Sequence, residues 1–306
     1  MIELIATVTS MKQAPQLLEA GADILYFGED QFGLRLSHSF NREEQKALTQ
    51  LAHDYGKKVC VAVNAIFHND TIDLIPEYLQ FLEAIHVDMI SLGDPGVIQK
   101  MRMHNISIPY RYDAQVVVTN SRQINFWAKR GAIGASLARE IPKEELMEIG
   151  AQLTIPAEIL VYGATCIHQS RRPLLQNYFN YVAKKESVGK NRGLFLSEPM
   201  KRDTHYSIYE NVNGTHIFAN NDVCLAYELA EIYEMGFKQW KLDGIFTDEA
   251  SFIKIVKAFN HARKQVMAKQ WETEEAMGLF QRICDLHPSH RGLDTGFYHK
   301  DREEVV

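Results

Sequence analysis

The residues best suited to chemistry recur at one kind of place in the sequence, just after a short apolar run. They are Glu29 and Arg35, Asn64, Asp94, Gln115, Arg139 with Glu140, Cys166 with His168, and Lys241 with Asp243. Carboxylates can accept protons, an ammonium can donate them, and amides can orient a substrate between them. Guanidinium groups suit carboxylate ligands, which they bind through paired hydrogen bonds. Each residue also has a plain structural explanation. Asp94 stands before Pro95-Gly96 as a helix N-cap, and Asn64 satisfies turn backbone. Arg139 and Glu140 form a surface pair, and Lys241 and Asp243, two apart on a strand, pair with each other or with Arg139. The set outweighs its members only if the fold makes them converge.

A second concentration of reactive groups lies in Pro156–Tyr178. A buried strand, Glu158–Tyr162, breaks at Gly163 and runs into a loop carrying Cys166, His168, Arg171 and Arg172. A thiol and an imidazole there allow a nucleophilic pair, and the alternative is a buried inert cysteine beside solvated arginines. The chain has no G-x-S-x-G elbow, no H-E-x-x-H zinc site and no phosphate-binding P-loop. Cys284, His287 and His290 have metal-like spacing but straddle a helix end away from the other candidates.

The elements that would position these groups follow from the apolar pattern. Short strands are expected at Glu3–Val8, Ile24–Phe27, Lys58–Val63, Met89–Leu92, Tyr110–Asp113, Ile133–Leu137, Glu158–Tyr162 and Gln239–Leu242, most followed by a helical stretch. Helix starts are marked at Asn41, with Glu43 and Glu44 behind it, and at Asp94-Pro95. Eight strands alternating with helices, and no G-x-G-x-x-G after the first, predict an α/β fold, a (β/α)8 TIM-like barrel, rather than a doubly wound sheet. Residues 163–221 are too long for an ordinary connection and form an insertion between strands seven and eight. It holds Lys184, Lys185, Lys190 and Arg192 and a hairpin whose Asn213-Gly214 fits a type I′ turn. A helix is expected from Asp222 to Met235. The barrel domain spans 1–270, and a C-terminal helix and tail, 271–306, pack on it.

Composition limits the functional class. With 306 residues, 46% hydrophobic and 24% charged, the chain reads as an ordinary globular protein. A net charge of -6 gives no global footprint for nucleic acid, although a local basic patch is compatible with it. No run is long and apolar enough for a membrane span, and the start lacks a secretory pattern. Four scattered cysteines without a C-x-x-C indicate a reducing, cytoplasmic compartment.

Several motifs taken in order carry a resemblance: G-A-D-I-L-Y-F-G with F-G-L-R, V-A-V-N-A-I-F-H-N, G-D-P-G-V-I, L-A-R-E-I, V-Y-G-A-T-C, K-N-R-G, N-N-D-V-C-L, K-L-D-G and D-T-G-F-Y. Together they resemble the collagenase-like peptidase family, family 32 of the unknown-mechanism class, across nearly the whole chain. The resemblance is nearest to the shorter member of a Gram-positive pair associated with prephenate-dependent hydroxylation of the tRNA wobble uridine to 5-hydroxyuridine. It implies a tRNA-modification protein that works with a longer paralogue, on tRNA, with prephenate or another small anionic metabolite as co-substrate. It places Asn64, Asp94, Gln115, Arg139, Glu140, Lys241 and Asp243 in matching motifs; Arg35, His168, Arg171 and Arg172 are expected as substrate contacts from their own chemistry and position. Relatives in the family hold an iron-sulfur cluster on four cysteines. Here Cys166 and Cys224 match two of them, Pro173 stands at the second position, and Leu194 and Phe195 occupy the region of the third. Two thiolates do not hold a four-iron cluster, so the resemblance implies a site that has lost its cluster or borrows ligands. The alternatives are a peptidase and a non-catalytic scaffold for a cluster-bearing paralogue.

Overall fold

The computed structural model describes residues 1–113 and 118–304. Gln115 lies outside the described residues.

Eight parallel strands close into a barrel in the order β1 (Glu3–Thr7), β2 (Ile24–Gly28), β3 (Lys58–Ala62), β4 (Met89–Leu92), β5 (Tyr110–Tyr112), β6 (Ala132–Ser136), β7 (Ala157–Gly163) and β13 (Gln239–Leu242). β13 pairs with both β7 and β1, which completes the circle. The closure rules out the doubly wound alternative. Helices between the strands begin and end where local chemistry requires. α1 (Gln13–Ala20) stops at Gly21, whose φ of 110° lets its N–H turn back to the last turn's carbonyls. α2 (Arg42–Asp54) starts on a capping box between Asn41 and Glu44. α4 (Pro95–Met103) starts on Asp94, which accepts a hydrogen bond from the Gly96 N–H at 2.7 Å.

Strand residues alternate between two interiors. Leu4, Ala6, Leu25, Phe27, Val59, Val61, Ile90 and Trp240 face outward into the main core against the helices. Ile5, Ile24, Tyr26, Cys60, Ala62 and Met89 form a separate apolar cluster inside the barrel. On β5, β7 and β13, residues of the same alternation are polar: Arg111, Glu158, Gln239 and Lys241, all buried. The barrel interior is therefore apolar along one arc and ionic along the other.

After β7 the structure departs from the expected pattern in four places. Cys166–Ser170, expected in a loop, is a strand, β8. It joins β9 (Phe195–Glu198), β10 (Lys201–Asn211) and β11 (Gly214–Phe218) in a four-stranded antiparallel sheet, with α7 (Leu174–Tyr181) packed on β11. The hairpin is present, but Asn211 pairs with Gly214, so its loop is Val212-Asn213. Neither loop residue has positive φ, whereas Gly214 has φ of 95°, which fits a glycine bulge after the loop and not a type I′ turn. Asp222 does not start a helix: Asn221–Cys224 is a strand, β12, antiparallel to β7, and α8 spans only Leu229–Glu234. The tail contributes β14 (Gly292–Asp294), parallel to β12.

The C-terminal segment is tied to the barrel by buried polar groups. After α9 (Glu249–Met267) and α10 (Thr273–Leu286), the Arg291 guanidinium donates to the Asp222 carboxylate, and the His287 ring meets the Tyr162 hydroxyl at 2.9 Å. His287, one of the three metal-spaced residues, is thus engaged in the fold. Among the described residues no helix is long and apolar enough to cross a membrane.

Candidate functional site

At the carboxyl ends of the barrel strands lies a cavity of about 570 Å³. Its wall includes Arg35, Asn64, Asp94, Arg139, Glu140, Cys166, His168, Lys241 and Asp243. These candidates come from six different strand ends, and the barrel brings them to one mouth. Arg171 and Arg172 are not on the wall; both are exposed, and the Arg171 guanidinium donates to the Val212 carbonyl on the hairpin. Glu29 also lies off the wall, 3.8 Å from Arg42.

The wall contains residues that the sequence did not single out: Tyr26, Asp113 and Glu158. Glu158 is the hub of the ionic arc. Its carboxylate accepts from Arg111 at 2.9 Å and lies 3.3 Å from the Lys241 ammonium. Arg111 also donates to Gln239 at 2.8 Å. The Lys241 ammonium sits 3.5 Å from the centre of the Tyr26 ring, a cation–π contact. A signal for this hub exists in the sequence: Y-R-Y and A-E-I-L-V-Y each bury a charge within an apolar strand, on the inward alternation.

A second network organises the opposite side. The Asn64 amide donates to Asp113 at 2.8 Å and to the Tyr26 hydroxyl at 3.3 Å, and its oxygen accepts from the Leu34 N–H at 2.9 Å. Ser91 donates to the same Asp113 oxygen at 2.8 Å. Burial, with the Asp113 carboxylate adding to it, pushes the Tyr26 phenol well above its ordinary value, so it stays a neutral hydrogen-bonding group. Beneath it, burial pushes the Cys60 thiol up to about 12, which makes it inert.

Arg139 and Asp243 stand at the mouth. Arg139 donates to the Ala164 carbonyl and lies 3.5 Å from the Asp243 carboxylate. Gly163 fixes this geometry: a Cβ there would meet the Asp243 carbonyl oxygen at 2.3 Å, and its φ is 129°. Only glycine lets β7 pass so close to the strand end that carries Asp243.

Arg35 is held in an uncommon conformation, with φ of 53°. Its guanidinium donates to the neutral Gln169 side chain at 2.9 Å, and no carboxylate among the described residues lies within ion-pair distance. The insertion supports its loop. The Asn213 amide donates to the Asp30 carbonyl at 2.6 Å, and the Lys190 ammonium caps the Leu36 and Ser37 carbonyls. Burial lowers the Lys190 amine, against the opposing pull of Asp30 and Asp243.

Cys166 does not form a dyad with His168. Its thiol contacts the His168 backbone carbonyl at 3.3 Å, not the imidazole. The cysteines also fail to fit an iron-sulfur cluster. Cys166 packs with Ala164, Tyr209, Phe218 and Ile245 beside the cavity, whereas Cys224 belongs to the main core. Burial pushes the Cys224 thiol up to about 12, and Cys284, not Cys166, is the thiol that bears on it. Among the described residues no group of three or more His, Cys, Asp or Glu side chains is placed to hold a metal.

Comparison with known proteins places this geometry in context. The family model of Peptidase family U32 matches residues 9–305. The chain is similar to tRNA hydroxylation protein P2 of Bacillus subtilis (strain 168), at 37% identity over 98% of each chain. It is similar to tRNA hydroxylation protein P1 of the same organism at 24% identity, over 89% of this chain and 67% of that one. Among solved structures, that of a U32 peptidase covers 79% of this chain and 92% of its own, with a TM-score of 0.51 at 14% identity, which shows a shared fold.

Proposed function

The chain belongs to Peptidase family U32, and from that premise we propose that it is a tRNA-modification subunit acting in prephenate-dependent hydroxylation of the wobble uridine to 5-hydroxyuridine. The observation that carries the reading is the cavity itself, a barrel mouth of about 570 Å³ lined by cations, carboxylates and amides from separate strands. Its size suits a small metabolite. Arg35, whose guanidinium has only a neutral partner, offers the metabolite's carboxylate an uncompensated charge. Arg139, beside the Asp243 carboxylate, adds a second guanidinium at the mouth. Lys241 and Glu158 supply a buried ion pair, and Asn64 and Asp94 orient the bound molecule. Two relatives named as tRNA hydroxylation proteins, a P1 and a P2 in one organism, support pairing with a longer paralogue. The thiol geometry at Cys166 gives the peptidase reading no comparable support.

Nucleoside mass spectrometry of tRNA tests this. Cells lacking both this chain and its longer paralogue are expected to lose 5-hydroxyuridine and its derivatives. Unchanged levels in the double deletion would overturn the proposal.

A further inference from the structure

α7 is built in a way that leaves it a face to spare. It buries one side chain, Leu175. Its hold on the insertion is polar: the buried Glu210 carboxylate accepts from the N–H groups of Leu175 and Gln176, and Thr215 Oγ1 accepts from the Leu174 N–H at 3.0 Å. The same Thr215 hydroxyl donates to the Arg172 carbonyl at 2.8 Å. Capping satisfies the free N–H groups of the first turn and fixes the helix without consuming its apolar stripe.

That stripe faces solvent. Leu174, Tyr178 and Tyr181 follow at helical spacing and are 39%, 58% and 89% exposed. Cations bracket it. From Arg171 to Lys185 the sequence has four basic residues and no acid, in a chain whose net charge is -6. Arg171, Arg172, Lys184 and Lys185 are exposed, and none forms an ion pair among the described residues. Aromatic rings with unpaired cations on both sides are what single-stranded nucleic acid requires: rings stack on unpaired bases and cations meet the phosphates between them.

We propose that α7 is a docking platform for an unpaired RNA loop, with Tyr178 and Tyr181 stacking on bases and Arg172, Lys184 and Lys185 meeting the backbone. The inference rests on the RNA-modification reading only for its class of ligand. The position suits that role. β8 forms part of the cavity wall through Cys166, Ile167, His168 and Gln169, and it leads directly into Arg171 and the platform. A loop held on α7 would follow the chain from the strand that lines the mouth.

Fluorescence anisotropy with the full chain tests it, using a labelled anticodon stem-loop RNA and a blunt RNA duplex of equal length. Tyr178→Ala and Tyr181→Ala each weaken stem-loop binding by about five-fold or more, and leave duplex binding unchanged. Tyr178→Phe and Tyr181→Phe, which keep the ring, retain wild-type affinity. Lys184→Gln and Lys185→Gln each reduce the slope of log affinity against log salt by about 0.7. Alanine variants that bind the stem-loop like wild type would overturn the proposal, as would a wild-type chain that binds no RNA or does not prefer the stem-loop. Variants that keep RNA affinity but lose co-purification with the longer paralogue would make α7 a protein interface and also overturn it. Because binding is read on purified protein, its failure is distinct from any failure of the nucleoside measurement in cells.

Discussion

Glu158 is the residue on which the inner half of the site depends. It answers both the Arg111 guanidinium and the Lys241 ammonium inside the barrel. Removing one partner of a buried pair leaves an uncompensated charge, which costs about 3–5 kcal/mol. Glu158→Gln is therefore expected to lower unfolding stability by that order, measured by urea denaturation, because it strands two cations at once. A loss under about 1 kcal/mol would mean that water already screens the triad. At this scale the sequence was partly legible. Arg139 and Asp243 stand directly after recognisable strands and point to the mouth by position alone. Glu158 and Arg111 lie within strands, and only their alternation with apolar neighbours marks them as inward. Cys224 is harder to read for the opposite reason. Its family motif suggests a ligand, but its strand turns the thiol into the apolar core.

At the scale of elements, the barrel was readable, but of the insertion only its length and its hairpin were. Each barrel unit is local: an apolar run, a cap and a helix repeat within a few tens of residues. The insertion is held by contacts between distant segments, β8 with β11 and Asn213 with the loop after β2, which leave no periodic trace. Its buried imidazole makes it acid-sensitive. His216 is fully buried, and desolvation, with the Arg35 charge adding to it, pushes its ring down to about 3. The unfolded ring takes up a proton near its ordinary value of about 6.5, whereas the folded ring resists it until about 3. Stability from this group is full above the unfolded value and is lost as pH falls through the window between the two. Urea midpoints measured across that window should fall for the wild type and fall less for His216→Gln. Equal slopes for the two proteins would show that His216 is not buried as a neutral ring.

The whole molecule combines a rigid barrel, an ionic cavity at its mouth and an insertion that both braces Arg35 and carries α7. In the proposed role, a chain of net negative charge meets RNA through a local patch: four exposed basic residues and no acid stand between Arg171 and Lys185, directly after the cavity-wall strand β8. It also separates an active subunit from a scaffold. A scaffold needs its surfaces but not the polarity of its interior mouth. The central claim is that the mouth works. The direct measurement is nucleoside mass spectrometry of tRNA from the double-deletion strain carrying the longer paralogue together with either the wild-type chain or its Arg139→Gln or Asp243→Asn variant, each expressed at equal level. The wild type is expected to raise 5-hydroxyuridine above the level given by the paralogue alone, and each variant is expected to remove that gain. Full restoration by both variants would contradict the account and leave the chain a scaffold.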